Sequence, residues 1–224
     1  MKKLAIYGLG ETSRMAFEFF THDSDYNIEC FIIDEEFKNI DNFNNFKFLS
    51  NNKFIKNYKN TEIEVFVALG SGCLNYARTY YFKKFKDLGY KLASYVNSKC
   101  SIWHDVEIGQ NCFIQEDNCI QSKVKISDNV LIWSKSHIGH KSFISENCFI
   151  ASNVSISGYC NIGSNSTISI NVGINNHINI GKNTFINSGE IIKKNIPNDV
   201  FISGNQNREI APLKFFKVPD KFIS

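Results

Sequence analysis

The second half of the chain carries isoleucine at every sixth position: Ile102, Ile108, Ile114, Ile120, Ile126, Ile132, Ile138, Ile144, Ile150, Ile156, Ile162, Ile168, Ile174, Ile180, Ile186 and Ile192. No insertion breaks the phase. A six-residue repeat is the signature of a parallel β-helix, in which each hexad forms one flat side. Four residues after each Ile lies a second inward position. It holds Val106, Cys112, Val124, Val130, Ser136, Ser142, Cys148, Val154, Cys160, Ser166, Val172 and Thr184. These small or β-branched side chains suit a narrow prism. Three residues after each Ile comes a corner. Asn fills it at 111, 129, 147, 153, 165, 171, 183 and 195, with Asp105, Asp117 and Gly189 beside them. Asn, Asp and Gly tolerate the left-handed backbone of a tight turn. Three hexads make a coil of about eighteen residues, so residues i and i+18 stack roughly 4.8 Å apart. The repeat gives about five coils, a rod of roughly 24 Å on that spacing. An open last coil is a sheet edge and needs a cover, which the segment after Pro197, with Pro212 and Pro219, is placed to supply.

Residues 1–97 follow another pattern. Lys3–Tyr7 is a short apolar run closed by Gly8-Leu9-Gly10, and helical spacing follows to about Phe20. Ile28–Ile33 is a second run ending at Asp34-Glu35, and Glu64–Leu69 a third, closed by Gly70. Leu74–Leu88 has helical spacing and Lys91–Val96 reads as a fourth strand. Residues 36–63, rich in Asn, Lys and Phe, read mostly as loop. Strands alternating with helices predict a small parallel sheet. The expected division is therefore an α/β, Rossmann-like domain over 1–97, a β-helix over 98–197 and a C-terminal cap over 198–224. The turn after the first strand is built to seat a phosphate, and an acid after the second to take a ribose hydroxyl. The third glycine of a dinucleotide fingerprint is replaced by Ser13, so a plain strand–helix turn without ligand explains the same residues.

Composition removes several classes of function. With 25 Lys and Arg against 22 Asp and Glu, the net charge of +3 gives no footprint for nucleic acid. No apolar stretch is long enough to span a membrane. The opening MKKLAIYGLGET resembles a signal peptide, but Glu11 and Arg14 interrupt it at once, so a cytoplasmic location is expected. Of the seven cysteines, Cys112, Cys148 and Cys160 occupy the small inward position. They read as core filler, and no CxxC pair argues for disulfides or zinc.

The candidate chemistry sits where the rod exposes histidine. His104, His137, His140 and His177 lie in the repeat, with His137 and His140 three apart around a turn. His140 is expected to point outward. Gly158 lies eighteen residues later, one coil above, and its bare backbone offers an N–H to a developing oxyanion. A histidine is a natural general base for an amine or hydroxyl that attacks an acyl group. A solvated surface histidine, or one buried in a subunit contact, fits the same placement.

The segment Ser136-His137-Ile138-Gly139-His140, followed by Ile150-Ala151-Ser152-Asn153 and Gly158, resembles the active-site coil of left-handed β-helix acyltransferases. It is similar locally to the lipid A UDP-N-acetylglucosamine acyltransferase. Over nearly the whole chain, the sequence resembles the sugar acyltransferases of the sialic acid O-acetyltransferase and bacillosamine N-acetyltransferase type. The resemblance rests on Tyr7-Gly8-Leu9-Gly10, Phe31-Ile32-Ile33-Asp34-Glu35, Val67-Ala68-Leu69-Gly70, Asn75 and Arg78. It implies a left-handed β-helix, a homotrimer, and an acetyl-CoA-dependent N-acetyltransferase acting on a UDP- or dTDP-linked amino sugar for surface-glycan biosynthesis. It assigns His140 as base, Gly158 as oxyanion donor and His137 as a supporting residue. The nucleotide sugar would meet Gly8, Gly10, Glu11, Thr12, Asp34, Glu35, Gly70, Asn75 and Arg78. Trp133 either stacks on the sugar or fills a subunit seam. Acetyl-CoA would meet Gly158, Ile170, Ser188, Gly189, Lys193 and Lys194, and no metal is implied. Two departures stand out. Lys141 follows His140 where the bacillosamine enzymes carry a carboxylate, so the group that orients His140 is not evident. Gly204-Asn205-Gln206 replaces the terminal Gly-x-Pro-Ala.

Three other readings compete: a structural or binding rod without catalysis, against which the paired histidines and the N-terminal sheet domain argue, and two activities. Transfer to a hydroxyl, as in the sialic acid O-acetyltransferases, would use the same base. The γ-class carbonic anhydrases use this rod with zinc-ligand histidines 36 residues apart and a third five beyond. His104 and His140 match the first spacing, but the third position holds Ser145, which leaves a three-histidine zinc site incomplete.

Overall fold

The computed structural model describes residues 1–37, 47–59, 61–72, 74–204, 209–212 (backbone only) and 219. The first part alternates strands and helices: β1 (Lys2–Tyr7), α1 (Glu11–His22), β2 (Tyr26–Ile33), β3 (Phe48–Ser50), α2 (Asn51–Tyr58), β4 (Glu64–Val67) and α3 (Tyr76–Asp87). The strands form a parallel sheet in the order β3-β2-β1-β4. Leu4, Ala5, Ile6 and Tyr7 are all buried, the continuous apolar run of a strand covered on both faces. Alternate side chains feed different cores. Leu4 and Ile6 join Phe17, Phe20 and Phe66, while Ala5 and Tyr7 join Phe54, Tyr81 and Phe85.

Two expectations need correction. The loop expected over 36–63 contains β3 and α2. Residues 38–46 and 60 lie outside the described residues. The strand expected over Lys91–Val96 is divided between two sheets: Leu92 bridges to Val65, whereas Tyr95–Val96 pairs with Phe113–Ile114 and already belongs to the rod.

From there the chain winds as a parallel β-helix with three faces. Face 1 runs upward through Tyr95–Val96, Phe113–Ile114, Leu131–Ile132, Phe149–Ile150, Thr167–Ile168 and Phe185–Ile186. Face 2 stacks Ser101–Ile102, Cys119–Ile120, His137–Ile138, Ser155–Ile156, Gly173–Ile174 and Ile191–Ile192. Face 3 stacks Glu107–Ile108, Lys125–Ile126, Phe143–Ile144, Asn161–Ile162 and Asn179–Ile180. The isoleucines from Ile114 to Ile192 are buried and form one core with Cys112, Cys148 and Cys160. Burial pushes the Cys112 and Cys148 thiols up to about 12, so they stay protonated filler, as their inward position suggested.

The corners take a left-handed backbone. Asn111, Asn129, Asn147, Asn153, Asn165, Asn171 and Asn183 all have φ between 52° and 64°. Lys123, Lys135, Lys141, Tyr159 and His177 adopt the same φ without being Asn, Asp or Gly. Asp105 and Asn195 are not among the positive-φ residues. Asn195 falls where the repeat shortens, because Ile196 bridges to Ile180 and Ile202 pairs with Ile186, sixteen residues apart instead of eighteen. Val200–Ser203 thereby extends face 1 beyond Pro197, and Glu209–Pro212 pairs antiparallel to it. Residues 205–208, 213–218 and 220–224 of the expected cap, Asn205 and Gln206 among them, lie outside the described residues.

The sheet domain sits on face 1. Phe113, Leu131 and Phe149 share a core with Leu4, Ile6, Phe17 and Phe20. At the corner before that face the asparagines form a ladder. The Asn111 Nδ2 donates to Asn129 Oδ1 at 2.8 Å, and the Asn129 Nδ2 to Asn147 Oδ1 at 2.8 Å. The ladder reaches β4, where the Val67 N–H donates to Asn111 Oδ1 at 2.8 Å. No helix among the described residues is long and apolar enough to cross a membrane.

Candidate active site

The corner between faces 2 and 3 carries His140. It is exposed, and Gly158 stands one coil above it. A Cβ built on Gly158 would lie 2.7 Å from His140 Cε1 and 2.8 Å from Nε2. The imidazole therefore lies against the glycine backbone, and any side chain there would displace it. Among the described residues no hydrogen bond uses the Gly158 N–H. The N–H at this position of the repeat is likewise without a protein partner at Ser122, Ser134, Ser152 and Ser164; Gly158 differs in being buried beneath the His140 ring.

The coil below differs at the same position. The N–H of His140 is served by Gln121, whose Oε1 accepts it at 2.9 Å. The residue that would serve Gly158 in the same way is Gly139, which has no side chain to offer. A Cβ on Gly139 would fall 2.4 Å from Ser157 C and 2.5 Å from Gly158 N, so the close stacking of the coils forbids one.

Gln121 also reaches the His140 ring, with Oε1 3.1 Å from Nδ1. Its place was readable only through the coil register, which sets 121 beneath 139. The rest of the corner is aromatic. The His140 ring meets Tyr159 edge-on at 5.2 Å, and Tyr159 stacks on His177 at 4.8 Å. Lys141 Nζ donates to Tyr159 Oη at 2.9 Å. His137 lies half-buried on face 2, with Cys119 below it and Ser155 above.

The positions implied for acetyl-CoA are divided. Gly158 is on the His140 corner, whereas exposed Ile170, Ser188 and Gly189 stack at the corner between faces 1 and 2. Lys193 and Lys194 are exposed at the shortened end of the repeat.

The second candidate region lies beyond the C-terminal ends of β1, β2 and β4. Tyr7, Gly8, Leu9, Gly10, Asp34 and Leu69 line a cavity of about 330 Å³. Gly8 has φ +124°, and a Cβ there would stand 3.0 Å from Ala68 O, so this turn admits only glycine. Gly10 caps α1, whose first turn holds exposed Glu11 and half-buried Thr12. Asp34 closes the cavity and accepts hydrogen bonds from Tyr81 Oη and Asn51 Nδ2. It also borders a second hollow of about 400 Å³ with Glu35 and Lys84. Burial raises the Tyr7 and Tyr81 phenols well above their ordinary range, so both remain neutral. Gly70 sits beside Thr12.

Three sequence-predicted contacts take other places. Arg78 is fully buried between the sheet domain and the rod. It donates to Gly70 O at 2.8 Å and to Asn147 O and Cys148 O, both at 3.1 Å. Burial lowers its pKa, yet a guanidinium keeps its charge at neutral pH. Asn75 is fully buried too, with Nδ2 3.1 Å from Thr167 Oγ1. Both residues lock the two parts of the chain together and have no surface left for a sugar. Trp133 packs edge-on against Phe149 at 5.1 Å, in the seam under the sheet domain. His104 lies two coils below His140 on the same corner, roughly 10 Å away at the stacking distance of coils.

No protein-family model matches the chain, and no curated protein matches it in sequence. Solved structures do match. The acetyltransferase domain of PglB from Neisseria gonorrhoeae FA1090 superposes with a TM-score of 0.80 at 18% identity, over 94% of this chain and 100% of that one. PerB from Caulobacter crescentus, solved with CoA and GDP-perosamine, gives 0.82 at 15% identity over 94% and 97%. This chain has their fold. WeeI from Acinetobacter baumannii AYE extends the likeness, with a TM-score of 0.60 at 18% identity over 94% and 100%. In each case the likeness spans both the sheet domain and the rod.

Proposed function

We propose that the chain is an acetyl-CoA-dependent N-acetyltransferase acting on a nucleotide-linked amino sugar. The observation that carries this reading is the pairing of His140 with the unpaired Gly158 N–H. One group is suited to take a proton and the other to hold an oxyanion, and they stand in contact. Full-length likeness to the PglB acetyltransferase domain and to PerB supports the choice of donor and acceptor.

The sugar amine attacks the thioester carbonyl carbon and forms the C–N bond. The carbonyl oxygen becomes an oxyanion and takes the Gly158 N–H. Nε2 of His140 accepts the proton that the amine loses. The C–S bond then breaks, and the imidazolium returns the proton to the departing sulfur. The products are an amide and free CoA.

The crevice at Gly8, Gly10 and Asp34 holds the nucleotide sugar. Its place beyond the carboxyl ends of parallel strands is where open α/β sheets bind ligands, and the strand order agrees with a Rossmann-like half. The rod is read as left-handed and the assembly as a cytoplasmic homotrimer. In that arrangement the Ile170–Ser188–Gly189 corner of one rod faces the His140 corner of its neighbour, and acetyl-CoA lies in the groove between them. The test is to incubate the protein with acetyl-CoA and a panel of UDP-, dTDP- and GDP-linked amino sugars while following free thiol. Release that depends on an amino sugar is expected. Release with the matching hydroxyl sugars and none with any amine would replace N-acetylation by O-acetylation.

A further inference from the structure

We infer that Gln121 is the positioning residue for His140 and fixes the imidazole tautomer that leaves Nε2 free. Side-chain amides are ambiguous in orientation, because oxygen and nitrogen look alike. Here the ambiguity is resolved by chemistry. The same Gln121 atom lies 2.9 Å from the His140 backbone N and 3.1 Å from ring Nδ1. A backbone N–H only donates, so that atom is the oxygen. An oxygen that only accepts requires Nδ1 to carry the hydrogen. A neutral imidazole has one N–H, so the lone pair is on Nε2, which lies 2.8 Å from the Cβ built on Gly158, with Nδ1 at 3.1 Å.

The rod supplies this arrangement once. Gln121 follows Ile120 at the end of face 2 and reaches up to 140. One coil higher the equivalent residue is Gly139, and the corresponding N–H, of Gly158, is left for the substrate. A long side chain at 121 and none at 139 thus set both halves of the site.

Gln121 differs in kind from a carboxylate partner. A carboxylate would favour the imidazolium; an amide orients the ring and adds no charge. The other charged or titratable groups near this corner are Lys141 and Tyr159, which bond each other, then His177, Lys123, Asp105 and His104. Asp105 is engaged by Ser122 Oγ and the Lys123 N–H, both at 2.9 Å. His137 and Cys119 lie on the adjoining face.

The kinetic consequence rests on the acyl-transfer reading; the tautomer does not. The experiment therefore has two readouts on the full chain. Nitrogen NMR of histidine-labelled protein, with His140 assigned by its loss in His140→Asn, should show neutral His140 protonated on Nδ1. Gln121→Ala should shift it towards the Nε2–H form, and Gln121→Glu should restore Nδ1–H. In turnover, Gln121→Ala should lower kcat about 10- to 100-fold, less than loss of the base itself, with KM for the nucleotide sugar unchanged. Gln121→Glu should recover rate and move the acid limb of the pH profile to higher pH. An Nε2–H tautomer in the wild type, or no tautomer change in Gln121→Ala, overturns the inference whatever the activity. A tautomer change with undiminished kcat upholds the positioning of His140 and removes His140 from the role of base.

Discussion

In the proposed site, single side chains act by presence and absence together. Gly158 is needed because any Cβ would meet the His140 ring at 2.7 Å. Gly158→Ala should keep the fold and lower kcat by about 10²-fold, the scale of an ångström's misplacement of a catalytic group; unchanged turnover would show that the ring does not lie there during reaction. In the sheet domain, Asp34 is the acid at the mouth of the crevice. Asp34→Ala should raise KM for the sugar nucleotide and leave that for acetyl-CoA nearly unchanged, and steady-state kinetics with each substrate varied separates the two. The reverse pattern would move the nucleotide elsewhere. His140 and Gly158 were legible in the sequence because the eighteen-residue coil sets them in register. Gln121 was not singled out, since its contact crosses one coil plus one residue and no motif contains it. Resemblance alone places Arg78 and Asn75 at the sugar nucleotide, and no spacing in the sequence tells whether they face a ligand or the rod. Only the packing of helix α3 on the rod shows that Arg78 spends its donors on carbonyls and Asn75 on the Thr167 hydroxyl and the Asn165 carbonyl.

At the level of elements, the isoleucine phase made the faces legible and the asparagines half of the left-handed corners. The corners at Lys123, Lys135, Lys141, Tyr159 and His177 show that stacking imposes the left-handed turn even where the residue disfavours it. The two-residue shortening after Ile192 was hidden, because Ile196 falls four residues on, where the unbroken repeat also expects an inward side chain, and yet it bridges to Ile180. Strand β3 and helix α2 were hidden as well: α2 buries Phe54 and Asn51 but little else, too few positions for a clear helical period. The asparagine ladder gives a test of what the corners contribute. Asn129→Ala removes two buried side-chain hydrogen bonds and places a Cβ-bearing residue without local support at φ 61°. The loss should be about 3–4 kcal/mol, from about 1 kcal/mol for each of the two hydrogen bonds and 1–2 for the backbone. Asn129→Gly keeps the backbone at ease and should cost less. Denaturant unfolding of both variants checks the order, and equal losses would assign the whole effect to the side-chain bonds.

The whole molecule leaves apolar surface to be covered. Face 1 is occupied by the sheet domain, but Trp103, Phe143, Tyr159, Ile170 and Ile191 are large and exposed on or beside the other faces and corners. Their spread around the rod suits contacts with more than one neighbour. Light scattering should give three chains of mass, and Phe143→Glu should reduce it by placing a charge in the contact. A monomer with full activity at high dilution would remove both the trimer and the groove between rods.

The most direct test of the account is the turnover of His140→Ala, measured together with its binding of the nucleotide sugar. Loss of a positioned base should lower kcat by roughly 10²–10⁴-fold with the binding constant largely kept, and His137→Ala should cost less. A His140→Ala variant that retains more than about a tenth of the wild-type kcat, far outside the range for a lost base, would contradict base catalysis at this corner and the site built around it.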